Sequence, residues 1–77
     1  MEEKIFNRIV NICFEEDFSE LQLEILSIQK QAEKDRNYSL AIELLMEAIP
    51  IYVEDFPNRL YRKIEKEYEN YITLLEY

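Results

Sequence analysis

Apolar residues recur every three or four positions along most of the chain, which is the periodicity of amphipathic α-helices. Strict alternation, typical of a half-buried strand, never lasts for more than a few residues. The pattern predicts helices at residues 3–14, 19–34, 38–53 and 57–76, joined by short turns that make neighbouring helices antiparallel. We therefore expect an all-α fold: a small antiparallel bundle of about four helices, forming one domain over residues 1–77.

The start of the second helix carries the clearest local features. Ser19 is placed to cap the helix, and Gln22 follows three residues later, as in a capping box. Phe18 and Leu23 have the spacing of a hydrophobic staple around that cap. These features predict that the second helix begins at Ser19.

The third helix is bounded by a polar turn and interrupted by a proline. Asn37 or Ser39 can cap its start. Pro50 lacks an N–H group and its ring crowds the carbonyl of Met46, so we expect a kink or an end near Pro50. Pro57 then suits the first turn of the fourth helix. The positions of the third helix expected to face inward are Ala41, Leu44, Leu45, Ala48, Ile49 and Tyr52.

The residue composition excludes several classes of function. The 77 residues include 17 acidic and nine basic side chains, giving a net charge of −8, which disfavours nucleic acid and anionic membrane as partners. Glycine is absent, which argues against phosphate-binding loops, and histidine is absent, which argues against His-based catalysis and zinc sites. We therefore expect no enzymatic activity, no cofactor and no metal.

The single cysteine and the short apolar runs indicate the cellular compartment of the protein. Cys13 has no intrachain partner and falls on the inward line of the first helix, so we expect it to be an inert core residue in a reducing compartment. The longest apolar run, residues 48–53, is far shorter than a membrane span. The chain opens without the features of a secretion signal. We expect a cytoplasmic protein.

The last helix carries the candidate binding residues. Three of its tyrosines share one face, and tyrosine is common at half-wet interfaces, although such rings also cap the edge of a core. Four cations form the one basic stripe, which either pairs with the acids of residues 15–17 or 54–55 or docks an acidic protein partner. A nucleic-acid phosphate backbone is a third, less favoured partner for the stripe, because the net charge opposes it. The candidate partner-binding residues are Arg59, Tyr61, Arg62, Lys63, Lys66, Tyr68 and Tyr71.

Residues 35–49 carry a resemblance to two helical families. Ala41, Leu45 and Ala48 stand where the second helix of a tetratricopeptide unit has alanine, a large residue and alanine. The same stretch, with a later helix containing Lys63 and Lys66, also resembles a microtubule-interacting and trafficking domain. That second resemblance implies a helical bundle with a groove for short helical peptides.

Two functions are compatible with these features. The first is a non-catalytic module that binds a segment of another protein through the tyrosine-bearing face of the last helix. The alternative is a small acidic inhibitor, of the immunity, antitoxin or phage-encoded anti-defence type, that blocks one enzyme or basic effector by charge complementarity. Because so short a chain has a small core, a homodimer is a further possibility.

Overall fold

Four α-helices make up the computed structural model, which describes residues 1–76. Their bounds are Glu2–Cys13 (α1), Ser19–Asp35 (α2), Tyr38–Tyr52 (α3) and Asn58–Glu76 (α4). Each bound lies within one residue of the prediction, and the predicted all-α bundle is confirmed. No strand occurs within these 76 residues, and no helix among them combines the length and apolar character that crossing a membrane requires.

The helices pack as two antiparallel pairs. The turn of residues 36–37 joins α2 to α3 in a hairpin, while α1 pairs with α4 and also packs against α3. Arg36 in this turn adopts left-handed backbone geometry, with φ 54°, which costs a non-glycine residue about 1 kcal/mol. In a chain without glycine, that conformation ends α2.

One apolar core joins all four helices. Its buried side chains repeat at helical spacing, so each helix contributes one stripe, and no polar or charged side chain is buried among residues 1–76. The largest fully buried members are Phe6, Ile9, Leu21, Ile25, Ile42, Leu45, Ile49, Leu60 and Ile64. A satellite of three aromatic rings closes one end of the bundle, with Phe56 between Phe18 (5.2 Å) and Tyr61 (6.5 Å).

The predicted capping box at the start of α2 does not form. Phe18, not Ser19, is the N-cap residue, and no side chain caps the helix. Phe18 instead packs on Phe56, and the Gln22 amide donates to the Glu16 carbonyl at 3.1 Å. Tertiary packing of the Phe18 ring therefore sets this turn, and the proposed staple partner Leu23 lies exposed.

The boundaries of α3 follow its local sequence. The Asn37 side chain accepts a hydrogen bond from the Leu40 N–H at 3.1 Å, so Asn37 is the N-cap. The helix continues through Pro50 and ends at Tyr52. Pro50 is exposed in the last turn, where its missing N–H leaves only the Met46 carbonyl without its helical donor.

Candidate protein-binding surface

Two cations of the basic stripe face the end of α1. Because α4 runs antiparallel to α1, the first turns of α4 lie beside residues 15–16. Arg59 Nη2 lies 3.3 Å from Glu16 Oε1, and Lys63 Nζ lies 3.2 Å from Glu15 Oε1. These pairs explain why cations occupy the start of α4, where the helix dipole disfavours them.

The other two cations of the stripe point away from these acids. Arg62 and Lys66 are exposed, and neither forms an ion pair within residues 1–76. The stripe is therefore divided between two cations held inside the fold and two on open surface.

The three tyrosines of α4 have three different environments. Tyr71 is 3% exposed and belongs to the core, with its ring 5.7 Å from that of Tyr68. Tyr68 is half-buried and donates to the Glu43 carboxylate of α3 at 3.1 Å. Burial and this hydrogen bond both raise the pKa of Tyr68. Tyr61 is the most accessible of the three rings, so the tyrosines do not form one solvent-exposed surface.

The chain matches no protein-family model, no curated protein and no solved structure. The resemblances to tetratricopeptide and microtubule-interacting and trafficking domains therefore stay predictions.

The outer side of α3 exposes three apolar side chains, and the sequence pattern assigned one of them, Leu44, to the core. Leu40, Leu44 and Ile51 are 47%, 38% and 75% exposed, and their spacing of four and seven residues places them in one row, with exposed Glu47 between Leu44 and Ile51. Leu44 and Tyr52 were expected to face inward, but both are exposed. The predicted orientation of these two side chains is wrong because α2 covers only one flank of α3 and α1 packs against the other.

Polar side chains of α2 border this row. Gln31 and Asp35 line a shallow groove together with Leu40 and Leu44. Further along, the Tyr52 hydroxyl donates to Glu24 Oε2 at 3.3 Å. This surface, the open face, consists of Leu40, Leu44, Ile51 and Tyr52 of α3 with Glu24, Gln31 and Asp35 of α2.

One feature of α3 in the sequence could have revealed the open face. Of its 15 residues, the polar ones are Ser39, Glu43 and Glu47, so the helix is apolar around most of its circumference. Such a helix is normally buried on all sides. In this small bundle there are too few helices to cover it.

The metal-ligating side chains of residues 1–76 are dispersed, and the thiol of Cys13 is buried. No group of three His, Cys, Asp or Glu side chains within residues 1–76 is placed to hold a metal ion. Cys13 is fully buried, and burial raises its pKa to about 12, so the thiol stays neutral and is a poor nucleophile at physiological pH.

Proposed function

We propose that this chain is a non-catalytic protein-binding domain and that the open face is its binding surface. The observation that carries the proposal is the row Leu40, Leu44 and Ile51, which α3 presents to solvent. Exposed apolar side chains grouped on one helix face and rimmed by polar residues mark interaction sites in soluble proteins. A partner lying on this row would bury the apolar side chains of α3 that the bundle leaves exposed.

The open face supports binding better than the tyrosine-bearing face of α4. On α4, Tyr71 is in the core and Tyr68 is bonded to Glu43, so neither ring is free for a partner without rearrangement. Arg59 and Lys63 are engaged by the acids at the end of α1. Tyr61, Arg62 and Lys66 are the candidate residues left for a contact on that side of the molecule.

One observation favours the alternative of an acidic inhibitor. Asp17, Glu20, Glu54 and Asp55 surround a single depression beside Tyr52, at the end of the α2–α3 hairpin. Four carboxylates in one place would attract a basic enzyme surface and speed its association. An inhibitor working in this way would depend on these acids and would lose association rate as salt increases.

The test of the proposed function compares two doubly substituted chains. Leu40→Ser with Leu44→Ser alters the open face, whereas Leu23→Ser with Leu26→Ser removes two exposed leucines from the opposite side of α2. Immobilised wild type and both variants are exposed to lysate of the native host, and captured proteins are identified by mass spectrometry.

We expect a partner that is retained by wild type and by the Leu23/Leu26 variant and is lost by the Leu40/Leu44 variant. Circular dichroism of each variant confirms that the helices remain. A partner retained by all three chains, or lost only by the Leu23/Leu26 variant, would show that the open face is not the binding surface. If charge substitutions at residues 17, 20, 54 and 55 abolish capture instead, the inhibitor alternative is correct.

A further inference from the structure

We infer that the occupant of the open face is a basic amphipathic helix from another protein, with apolar side chains on one side and Lys or Arg along the flank. This inference rests on the proposed function and adds the chemistry of the partner.

The geometry of the row favours a helical partner. From Leu40 to Ile51 the row covers 12 residues and is about 16 Å long along the axis of α3, or three helical turns. An extended strand would gain most from pairing with a sheet edge, and no strand exists within residues 1–76. A helix satisfies its own backbone hydrogen bonds, and its ridges of apolar side chains fit the groove between two helices.

The charge beside the row favours a basic partner. Glu24 accepts a hydrogen bond from the Tyr52 hydroxyl, and Asp35 accepts one from the Gln31 amide at 2.6 Å. Both donors are neutral groups, and neither carboxylate forms an ion pair within residues 1–76. Exposed Glu47, which lies within the row between Leu44 and Ile51, adds a third carboxylate.

Lys34 and Arg36 flank Asp35 in the sequence, and Lys30 lies six residues from Glu24. None of these three cations lines the groove, and none forms an ion pair with the acids in the described part of the chain. The border of the row is therefore negative overall. Cations on the partner helix would find carboxylates already placed beside its apolar contacts.

The same charges argue against a second copy as the occupant. A symmetric dimer buries the same patch of both protomers. It would bring the Glu24, Asp35 and Glu47 carboxylates of one protomer towards those of the other, in a chain whose net charge is already −8. Like charges across an interface oppose association, so the homodimer considered from the sequence becomes an outcome of the test.

The experiment uses three synthetic peptides of about 18 residues, long enough to span the row as a helix. The first has leucine at helical spacing and lysine on the other face. The second has the same residues in scrambled order, and the third has glutamate in place of lysine. Each is labelled at its N-terminus, and binding to the full chain is measured by fluorescence anisotropy at low and high salt.

We expect the amphipathic lysine peptide to bind at least about tenfold more tightly than either control peptide. Leu40→Ser with Leu44→Ser should remove that preference, whereas Leu23→Ser with Leu26→Ser should keep it. Glu24→Gln with Asp35→Asn should weaken binding and reduce its salt dependence, because two of the carboxylates that attract lysine are gone.

Three results would overturn the inference. Equal binding of the amphipathic and scrambled lysine peptides would show that net charge alone attracts them. Equal binding by wild type and the Leu40/Leu44 variant would place the peptide elsewhere. A dimer in sedimentation that the Leu40/Leu44 substitutions dissociate would make a second copy the occupant. If a lysate partner depends on the open face while the lysine peptide shows no preference, the proposed function stands and the basic helix is wrong.

Discussion

Reversing the charge of Lys63 should destabilise the fold, whereas the same change at Lys66 should not. Lys63 Nζ lies 3.2 Å from Glu15 Oε1, and Arg59 reaches the same acidic turn. Lys63→Glu replaces this attraction by repulsion between carboxylates. Lys66→Glu is a matched control, because it lies on the same helix, changes the net charge equally and breaks no ion pair of residues 1–76.

The expected magnitude follows from the distance and the exposure of the pair. Two unit charges 3.2 Å apart in water attract by about 1.3 kcal/mol. The Lys63 and Glu15 side chains are 52% and 37% exposed, so side-chain entropy and solvent reduce the net contribution to about 0.5 kcal/mol. Adding a repulsion of similar size gives a loss of about 1 kcal/mol for Lys63→Glu, and under about 0.5 kcal/mol for Lys66→Glu.

Urea denaturation followed by circular dichroism measures this difference. A loss of about 1 kcal/mol corresponds to a midpoint lower by about 1 M urea and a melting temperature lower by about 4–8 °C for a chain of this size. At about 1 M NaCl, where charges are screened beyond about 3 Å, the gap between the two variants should shrink by at least about half. Equal losses for the two variants, or a gap that persists in high salt, would refute the pairing argument.

Three further predictions concern single side chains. Asn37→Ala should lower the free energy of unfolding by about 1 kcal/mol, because the N-cap hydrogen bond is lost. Ser19→Ala should lower it by under about 0.5 kcal/mol, because the Ser19 side chain makes no cap bond. Urea midpoints that coincide for these two variants would contradict this prediction. Tyr68→Phe should cost about 0.5–1.5 kcal/mol in thermal melts, since a half-buried hydroxyl no longer donates to Glu43. Cys13 should react with a thiol reagent only when the chain unfolds, and rapid labelling of the native chain at pH 8 would contradict this. Because folding raises the pKa of Cys13 from 9.0 to about 12, the free energy of unfolding should fall as pH rises from about 9 towards 12.

The helix boundaries could be predicted from the sequence because local physics determines them. Apolar spacing defines each helix within one residue of its observed bounds. Asn37 caps α3 through a contact three residues away, and Pro57 lies directly before α4, where its carbonyl accepts from the Leu60 N–H at 3.1 Å. The start of α2 depends on a distant contact. Ser19 has the right residue type for a cap, but the Phe18 ring packs against Phe56, 38 positions away, and Phe18 is the N-cap residue.

The partners of the charged residues depended on the tertiary structure. Arg59, Arg62, Lys63 and Lys66 form one stripe in the sequence, and both internal pairing and docking were open for it. Packing of α4 against α1 holds two of these cations beside Glu15 and Glu16 and leaves Arg62 and Lys66 outside. A rotation of α4 by a fraction of a turn would have exchanged them, and the helical pattern alone does not specify that rotation.

The sequence by itself determined that this chain folds as four antiparallel helices, because periodicity, caps and prolines act over a few residues. Only the tertiary structure decided which apolar residues of α3 remain exposed. Twelve of its 15 residues are apolar, so the pattern is compatible with several orientations towards the core. The packing of α2 on one flank and of α1 on the other leaves Leu40, Leu44 and Ile51 uncovered, because the three other short helices cannot surround a helix that is apolar around most of its circumference.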